Sequence, residues 1–181
     1  MCIPKSLSVI LYILLIFSGC AHKQVSLAPT ESSIHVLDLQ GKTRSYNDYL
    51  GSPTLLILWA SWCQECLAEL GTLNIASRLL EAQGIKLIAV AIQDDLESVR
   101  SLPQVGRAMF PVLLDVKGEF LERYPAEGLP TAYLVDRVGK PVPLVDPEDG
   151  RAKMSVVGLR SWQSAAGQRA IMKSWVPSYV E

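Results

Sequence analysis

The chain contains 181 residues, of which 49% are hydrophobic and 19% are charged, and its formal net charge is −1. This size and composition are typical of one globular domain and exclude a disordered chain. The near-neutral charge gives no electrostatic basis for binding nucleic acid, so nucleic acid is not expected among the partners.

Residues 1–19 predict a secretory signal. They contain one early positive charge, Lys5, followed by an apolar run from Leu7 to Phe17. A membrane-spanning helix needs about 20 apolar residues, so this run is too short to span a bilayer. Its length fits the apolar core of a signal peptide instead.

Cys20 follows Ser18 and Gly19, and this short stretch resembles the lipobox of bacterial lipoproteins. The resemblance implies that Cys20 is lipidated and becomes the first residue of the mature protein. An uncleaved anchor, or a plain signal with a coincidental cysteine, is the alternative. Residues 20–33 are small, polar and without periodicity, which predicts a flexible tether in front of a domain over residues 34–181.

From residue 34 onwards, short apolar runs alternate with helical patterns. The run 54–59 is a continuous apolar run and residues 85–92 are apolar apart from Lys86, which predicts strands buried on both faces of a sheet. Apolar residues then recur at spacings of three and four from Cys66 to Leu80, which predicts a helix that ends near Gly84. The other predicted strands are 34–39, 110–115, 131–136, 141–145 and 155–157. The other predicted helices are 96–107, 119–124 and 159–176, and residues 146–153 are predicted to form a surface loop. This alternation predicts an α/β domain with a mixed sheet.

Cys63 and Cys66 lie where the first buried strand gives way to the long helix. The free N–H groups and positive end of a helix stabilise a thiolate, which is the reactive form of cysteine. Cys66 lies one turn further on the same face, so it can attack a mixed disulfide formed on Cys63. A zinc site would need about four ligands, and the other candidates are His22 and His35. A structural disulfide over so short a loop would stabilise the fold little. Redox exchange is therefore favoured, and no metal or other cofactor is expected.

Four stretches, in this order, resemble the thioredoxin superfamily and its TlpA and ResA-like membrane-tethered thiol-disulfide oxidoreductases. They are WASWCQEC at 59–66, GIKLIAVAI at 84–92, FPV at 110–112 with Asp115, and GLPTAYLVD at 128–136. The resemblance covers roughly residues 34–145. It implies a thioredoxin-like three-layer α/β/α sandwich with a mixed sheet and an inserted helix-strand unit that includes the helix from Leu96.

The resemblance also implies roles for residues near the cysteines. Pro130 is expected to be cis and to face the pair, with the backbone of Leu129 binding a substrate strand; a trans proline that opens a strand is the alternative. Trp62 is expected on the exposed rim, where it contacts partners, and Trp59 in the packing. An ordinary core role for both tryptophans is the alternative.

Three positions depart from the family pattern. Ile57 replaces the buried aspartate of thioredoxin, and the matching position for the glutamate of ResA-like proteins is Asp94. Asp94 is therefore expected to act as a general base for Cys66, or else as a helix cap. Glu65 replaces the usual proline before Cys66, and its charge disfavours a thiolate on Cys63, which predicts a reductant.

Together these features predict an envelope thiol-disulfide oxidoreductase that reduces disulfides in exported proteins. The resemblance implies a membrane-embedded electron donor of DsbD type, a lipid anchor facing the periplasm or the outside of the plasma membrane, and cytochrome c maturation or thiol protection as settings. An SCO-like copper-handling module is one alternative, although this chain has only two residues between the cysteines and no histidine after His35. A redox-inactive interaction protein of the same fold is another.

Overall fold

The computed structural model describes residues 34–175. The predicted signal, the tether, Cys20 and Val176 at the end of the last predicted helix lie outside these residues. Within them, no helix combines the length and the apolar character that crossing a membrane requires.

Within residues 34–175, ten strands and five α-helices follow one another, with one 3₁₀ helix at Tyr46–Tyr49. The strands are β1 His35–Asp38, β2 Thr43–Ser45, β3 Thr54–Trp59, β4 Lys86–Ile92, β5 Val112–Asp115, β6 Thr131–Val135, β7 Pro141–Val142, β8 Leu144–Val145, β9 Ala152–Lys153 and β10 Val156–Val157. The helices are α1 Gln64–Glu81, α2 Leu96–Ser101, α3 Pro103–Gly106, α4 Glu119–Arg123 and α5 Ala165–Trp175.

Eight strands form one mixed sheet, in the order β10, β6, β3, β4, β5, β1, β2, with β7 also paired to β6. β3, β4 and β5 are parallel neighbours, whereas β6 runs antiparallel to β3. In this register Leu58, at the end of β3, lies opposite Thr131, at the start of β6. The segments after β3 and before β6 therefore meet at one end of the sheet, which brings the cysteine motif and Pro130 together.

Alternate residues of the central strands pack into two separate cores, one on each face of the sheet. Leu55 and Ile57 join the core that contains side chains of α1, α2, α3 and α5. Leu56 and Leu58 join the other core, with Tyr46 and side chains of α4. The alternation follows from the two-residue period of a strand, and it confirms the predicted α/β/α sandwich with a mixed sheet.

Two predicted helices are shorter than expected. The helix predicted over 96–107 is divided at Pro103, because the residue before a proline is disfavoured in the helical region. Leu102 accordingly has an extended backbone, with φ −75° and ψ 124°. The helix predicted from residue 159 begins only at Ala165, because the preceding residues form an irregular loop that packs on α1.

The predicted surface loop over 146–153 was partly wrong. Ala152 and Lys153 form β9, which pairs with β8 in a small hairpin. Asp146, at the start of this hairpin, is buried with 1% of its surface exposed. A carboxylate tolerates such burial here because Arg160 and Lys153 both bind it, at 2.8 Å and 2.7 Å.

Gly167 allows α5 to approach the loop that precedes it. A Cβ atom at this position would lie 2.5 Å from the carbonyl oxygen of Ser161 and 2.7 Å from Cα of Trp162. We therefore expect Gly167→Ala to lower the free energy of unfolding by about 2 kcal/mol, since backbone atoms must move to relieve the overlap. Denaturant unfolding measures this change.

Gly71, in the middle of α1, is the matched control. A Cβ atom there would meet no atom within 4 Å. Gly71→Ala should raise stability by about 0.5–1 kcal/mol, because alanine loses less backbone entropy on folding than glycine. If Gly167→Ala and Gly71→Ala change the free energy of unfolding equally, the close approach at Gly167 does not affect stability.

Candidate functional site

Cys63 and Cys66 form a disulfide at the N-terminus of α1, with their Cα atoms 5.2 Å apart. Cys63 is the N-cap residue of the helix, and its Sγ accepts a hydrogen bond from the backbone N–H of Cys66 at 3.2 Å. Cys63 is half-buried, whereas Cys66 is 1% exposed. An incoming disulfide can therefore reach Cys63, while Cys66 faces the core.

The peptide bond between Leu129 and Pro130 is cis, as the sequence predicts. The carbonyl oxygen of Leu129 lies 3.6 Å from Sγ of Cys63. Pro130 itself is buried, and its own carbonyl accepts a hydrogen bond from the N–H of Gly158 at 2.8 Å. The loop before β6 thus presents backbone polar groups beside the more accessible sulfur.

The two tryptophans of the motif have opposite environments. Trp62, directly before Cys63, exposes 66% of its surface, whereas Trp59 at the end of β3 is fully buried. This confirms the predicted exposure of Trp62 and the predicted packing of Trp59. Trp62 is consequently available to a partner that approaches Cys63.

Asp94 binds the loop that leads into the cysteine pair. Its carboxylate accepts hydrogen bonds from the backbone N–H of Ser61 at 2.5 Å and from the hydroxyl of Ser61 at 2.8 Å. The helix cap that the sequence also allowed for Asp94 belongs to its neighbour Asp95, which accepts from the N–H of Ser98. Asp94 thus connects the end of β4 to the residues just before Cys63.

Glu69 is a buried acid that the sequence analysis missed. It lies three residues after Cys66 on α1, and 2% of its surface is exposed. Its Oε1 accepts hydrogen bonds from the indole Nε1 of Trp162 at 2.8 Å and from the backbone N–H of Arg160 at 3.1 Å. The sequence could have indicated Glu69 through its spacing from Cys66, because residues three apart lie on the same face of a helix.

Burial raises the pKa of Glu69 to about 7. The two hydrogen bonds and the Arg160 guanidinium act in the opposite direction, since each stabilises the ionised carboxylate. A carboxyl group with a pKa near neutrality can both accept and release a proton under physiological conditions. Glu69 is therefore a candidate proton acceptor one turn from Cys66.

Glu65 lies in the first turn of α1 and is exposed. His35, one of the alternative metal ligands, lies on β1, which is three strands away from β3 in the sheet. Within residues 34–175, no three His, Cys, Asp or Glu side chains come together as a metal-binding group.

Comparison with known proteins relates this geometry to a family. The family model described as AhpC/TSA matches residues 27–140. The thiol-disulfide oxidoreductase ResA of Geobacillus thermodenitrificans is 28% identical over 116 residues, which are 64% of this chain and 67% of that protein.

Solved structures show the same fold. A protein described as a thiol:disulfide interchange protein DsbE, from Chlorobium tepidum, is 26% identical with a TM-score of 0.57, over 78% of this chain and 92% of that chain. The exposed lipoprotein thioredoxin of Streptococcus pneumoniae is 24% identical with a TM-score of 0.54, over 78% and 96% of the two chains.

The relatives and the Cys63–Cys66 pair agree on the chemistry. Two cysteines two residues apart, joined at the start of a helix with one sulfur accessible, form a redox-active dithiol–disulfide couple. The chain is a thiol-disulfide oxidoreductase with a thioredoxin-like fold. Since the AhpC/TSA model matches more than half of its residues, the protein belongs to the AhpC/TSA family.

Proposed function

We propose that this protein is a reductant of disulfides in exported proteins, with Cys63 as the attacking sulfur and Cys66 as the resolving sulfur. The observation that carries the proposal is the contrast between the two sulfurs. Cys63 is accessible and lies beside the Leu129 carbonyl, whereas Cys66 is buried one helical turn from Glu69.

The exchange proceeds in two steps. In the first, the Cys63 thiolate attacks a substrate disulfide, so that a bond forms between Cys63 and one substrate sulfur while the other sulfur leaves as a thiolate. In the second, Cys66 gives its proton to Glu69 and attacks Sγ of Cys63. The Cys63–Cys66 disulfide forms, the mixed disulfide breaks, and two electrons have passed to the substrate. The released sulfurs take up protons from solvent and from Glu69.

The residues around the cysteine pair bind the substrate or hold the loop that precedes Cys63. Leu129 binds an extended substrate segment through its backbone, whose carbonyl lies beside Cys63, and Pro130 presents that segment to the cysteine pair. Trp62 offers an exposed aromatic ring to the same segment. We also propose Asp94 as a second proton acceptor, and its hydrogen bonds to Ser61 support a further role as a positioning group for the motif.

The direction of electron flow follows from Glu65. A carboxylate near Cys63 destabilises the thiolate, which raises the free energy of the reduced form and makes the dithiol a better donor. The reduced pair is restored by a membrane-embedded donor of DsbD type. A measured reduction potential near that of DsbA, about −120 mV, would contradict this assignment.

The location that fits this activity is the bacterial cell envelope, with the domain held to the membrane through a lipid on Cys20. The support is the lipobox-like stretch before Cys20, together with the similarity to a relative described as an exposed lipoprotein thioredoxin. Mass spectrometry of protein extracted from membranes tests it, because an N-terminal peptide without an acyl mass on Cys20 would refute the anchor. Cytochrome c maturation and protection of exported thiols are the settings that we propose.

Cys66→Ala tests the proposed function in the native host. This variant forms the mixed disulfide but lacks the thiol that resolves it, so we expect covalent adducts that dithiothreitol releases. Exported proteins with cysteine pairs should dominate the adducts identified by mass spectrometry.

A Cys63→Ala, Cys66→Ala double variant is the control, and it should give none of these adducts. The proposal fails if the single variant forms no adduct, or if the adducts persist in the double variant.

A further inference from the structure

The irregular loop 158–164, between β10 and α5, supplies two hydrogen bonds to Glu69 from more than ninety residues away along the chain. Trp162 donates from its indole Nε1, and Arg160 donates from its backbone N–H. Both donors converge on the same oxygen, Oε1. Trp162 is fully buried, so its indole N–H cannot bind water and has this carboxylate as its acceptor instead.

The side chain of Arg160 is held by a second contact, to the hairpin formed by β8 and β9. Its Nε donates to Oδ1 of Asp146 at 2.8 Å and its Nη2 donates to Oδ2 at 3.0 Å. This two-point geometry is the one in which a guanidinium and a carboxylate bind most specifically. Lys153 binds Oδ2 of Asp146 as well, and Glu148 lies 3.2 Å from Nη2 of Arg160.

Asp146 is itself fixed by its backbone. Its N–H donates to the carbonyl of Arg151, and its carbonyl accepts from the N–H of Gly150, at 2.9 Å and 2.8 Å. The Arg160 guanidinium holds the pKa of Asp146 well below its usual range, so the pair stays charged throughout the physiological range. The hairpin is therefore a permanently charged support for Arg160.

These contacts have an electrostatic consequence for Glu69. Glu69 lies three residues after Cys66 on α1, and its carboxylate contacts Trp162 and Arg160 in the loop. Arg160 in turn faces Asp146 and Glu148 in the hairpin, where Lys153 also binds Asp146. Burial alone disfavours the ionised carboxylate, while the guanidinium and the two N–H donors favour it. The balance between these opposing effects depends on residues that are absent from the cysteine motif and from the loop of Pro130.

We infer that Arg160 and Trp162 are positioning residues that keep the buried Glu69 carboxylate available as an anion near neutral pH, with Asp146 as their anchor. The C-terminal segment from Asp146 to Trp162 would then be the part of this chain that adjusts proton transfer from Cys66. The inference deepens the proposed function and rests on it for its consequence in catalysis, although the ionisation of Glu69 can be measured independently of activity.

The test is an NMR titration of the Glu69 side-chain carboxyl carbon in the oxidised full chain, in which neither Cys63 nor Cys66 titrates. Glu69→Gln identifies the signal. Trp162→Phe keeps an aromatic ring but removes the indole N–H, and Arg160→Gln removes the guanidinium but keeps the backbone N–H. Both should raise the pKa of Glu69: Trp162→Phe by about one pH unit, which corresponds to losing one hydrogen bond that favours the anion, and Arg160→Gln by a smaller amount, because its guanidinium is paired with Asp146 and acts only through its charge.

Two further variants distinguish a specific effect of Arg160 on Glu69 from the general effect of removing a positive charge. Arg160→Lys preserves the positive charge and should shift the pKa of Glu69 less than Arg160→Gln. Arg169→Gln removes the same charge from an exposed site on α5 and should leave the titration unchanged. An unchanged pKa of Glu69 in folded Arg160→Gln overturns the inference even if Trp162→Phe does not fold.

A kinetic measurement distinguishes this inference from the proposed function. The pH profile for resolution of a mixed disulfide on Cys63 should move to higher pH in Arg160→Gln by the same amount as the titration. If the titration moves but the kinetic profile does not, Glu69 is positioned as inferred and its proposed proton role is refuted. In a Glu69→Gln background, Arg160→Gln should no longer alter the profile.

Discussion

Cys63→Ala should abolish disulfide reduction, lowering the rate for an insulin-type substrate by at least about 10³-fold, because within residues 34–175 no other accessible cysteine can form the mixed disulfide. Cys66 cannot replace it, since 1% of its surface is exposed and it lies one turn deeper on α1. The rate of insulin reduction with dithiothreitol as electron donor measures the effect.

Cys63→Ala should leave the fold intact, because a disulfide that closes so short a loop restricts the unfolded chain little. Circular dichroism and denaturant unfolding provide this control. A folded Cys63→Ala protein that still reduces insulin at the normal rate would be incompatible with the proposed mechanism.

Glu69→Gln should make the protein more stable at pH 8, by on the order of 3 kcal/mol, while leaving its stability near pH 4 almost unchanged. The folded protein holds the Glu69 proton up to a pKa of about 7, whereas the unfolded chain releases it near 4.5. Between these values the folded state binds more protons than the unfolded state. Stability therefore falls as pH rises through this interval, and glutamine removes the fall.

Unfolding should be measured in the oxidised protein from pH 4 to pH 8, with the difference between Glu69→Gln and the unaltered chain taken at each pH. Glu97→Gln is a suitable control, because Glu97 is exposed and lies on α2, outside the contacts of Glu69. A constant difference for Glu69→Gln across this range would mean that burial does not raise the pKa of Glu69.

Local patterns predicted most of the architecture. Apolar runs identified β3 and β4, and the spacing of apolar residues identified α1, because both patterns reflect the periods at which side chains meet a core. The resemblance over residues 34–145 then predicted the cis bond before Pro130 and its place opposite Cys63. Helix boundaries were less accurate, since Pro103 interrupts a pattern that periodicity alone would continue.

The C-terminal segment was predicted least well. Its charged stretch has the composition of a surface loop, yet Asp146 is buried because Arg160 and Lys153 compensate its charge. Trp162 was assigned to a helix, although it lies before α5 with its indole on Glu69. Such contacts join residues that are far apart in the chain, and no local pattern encodes them.

The sequence by itself determined the chemistry of this protein: two cysteines at the start of a helix, behind a buried strand, with a proline loop that returns beside them. Those features depend on residue type and short spacings. Only the tertiary structure decided which groups bind the Glu69 carboxylate near the cysteine motif, because Glu69, Arg160, Trp162 and Asp146 come together through burial and through distances of about 3 Å that folding alone creates.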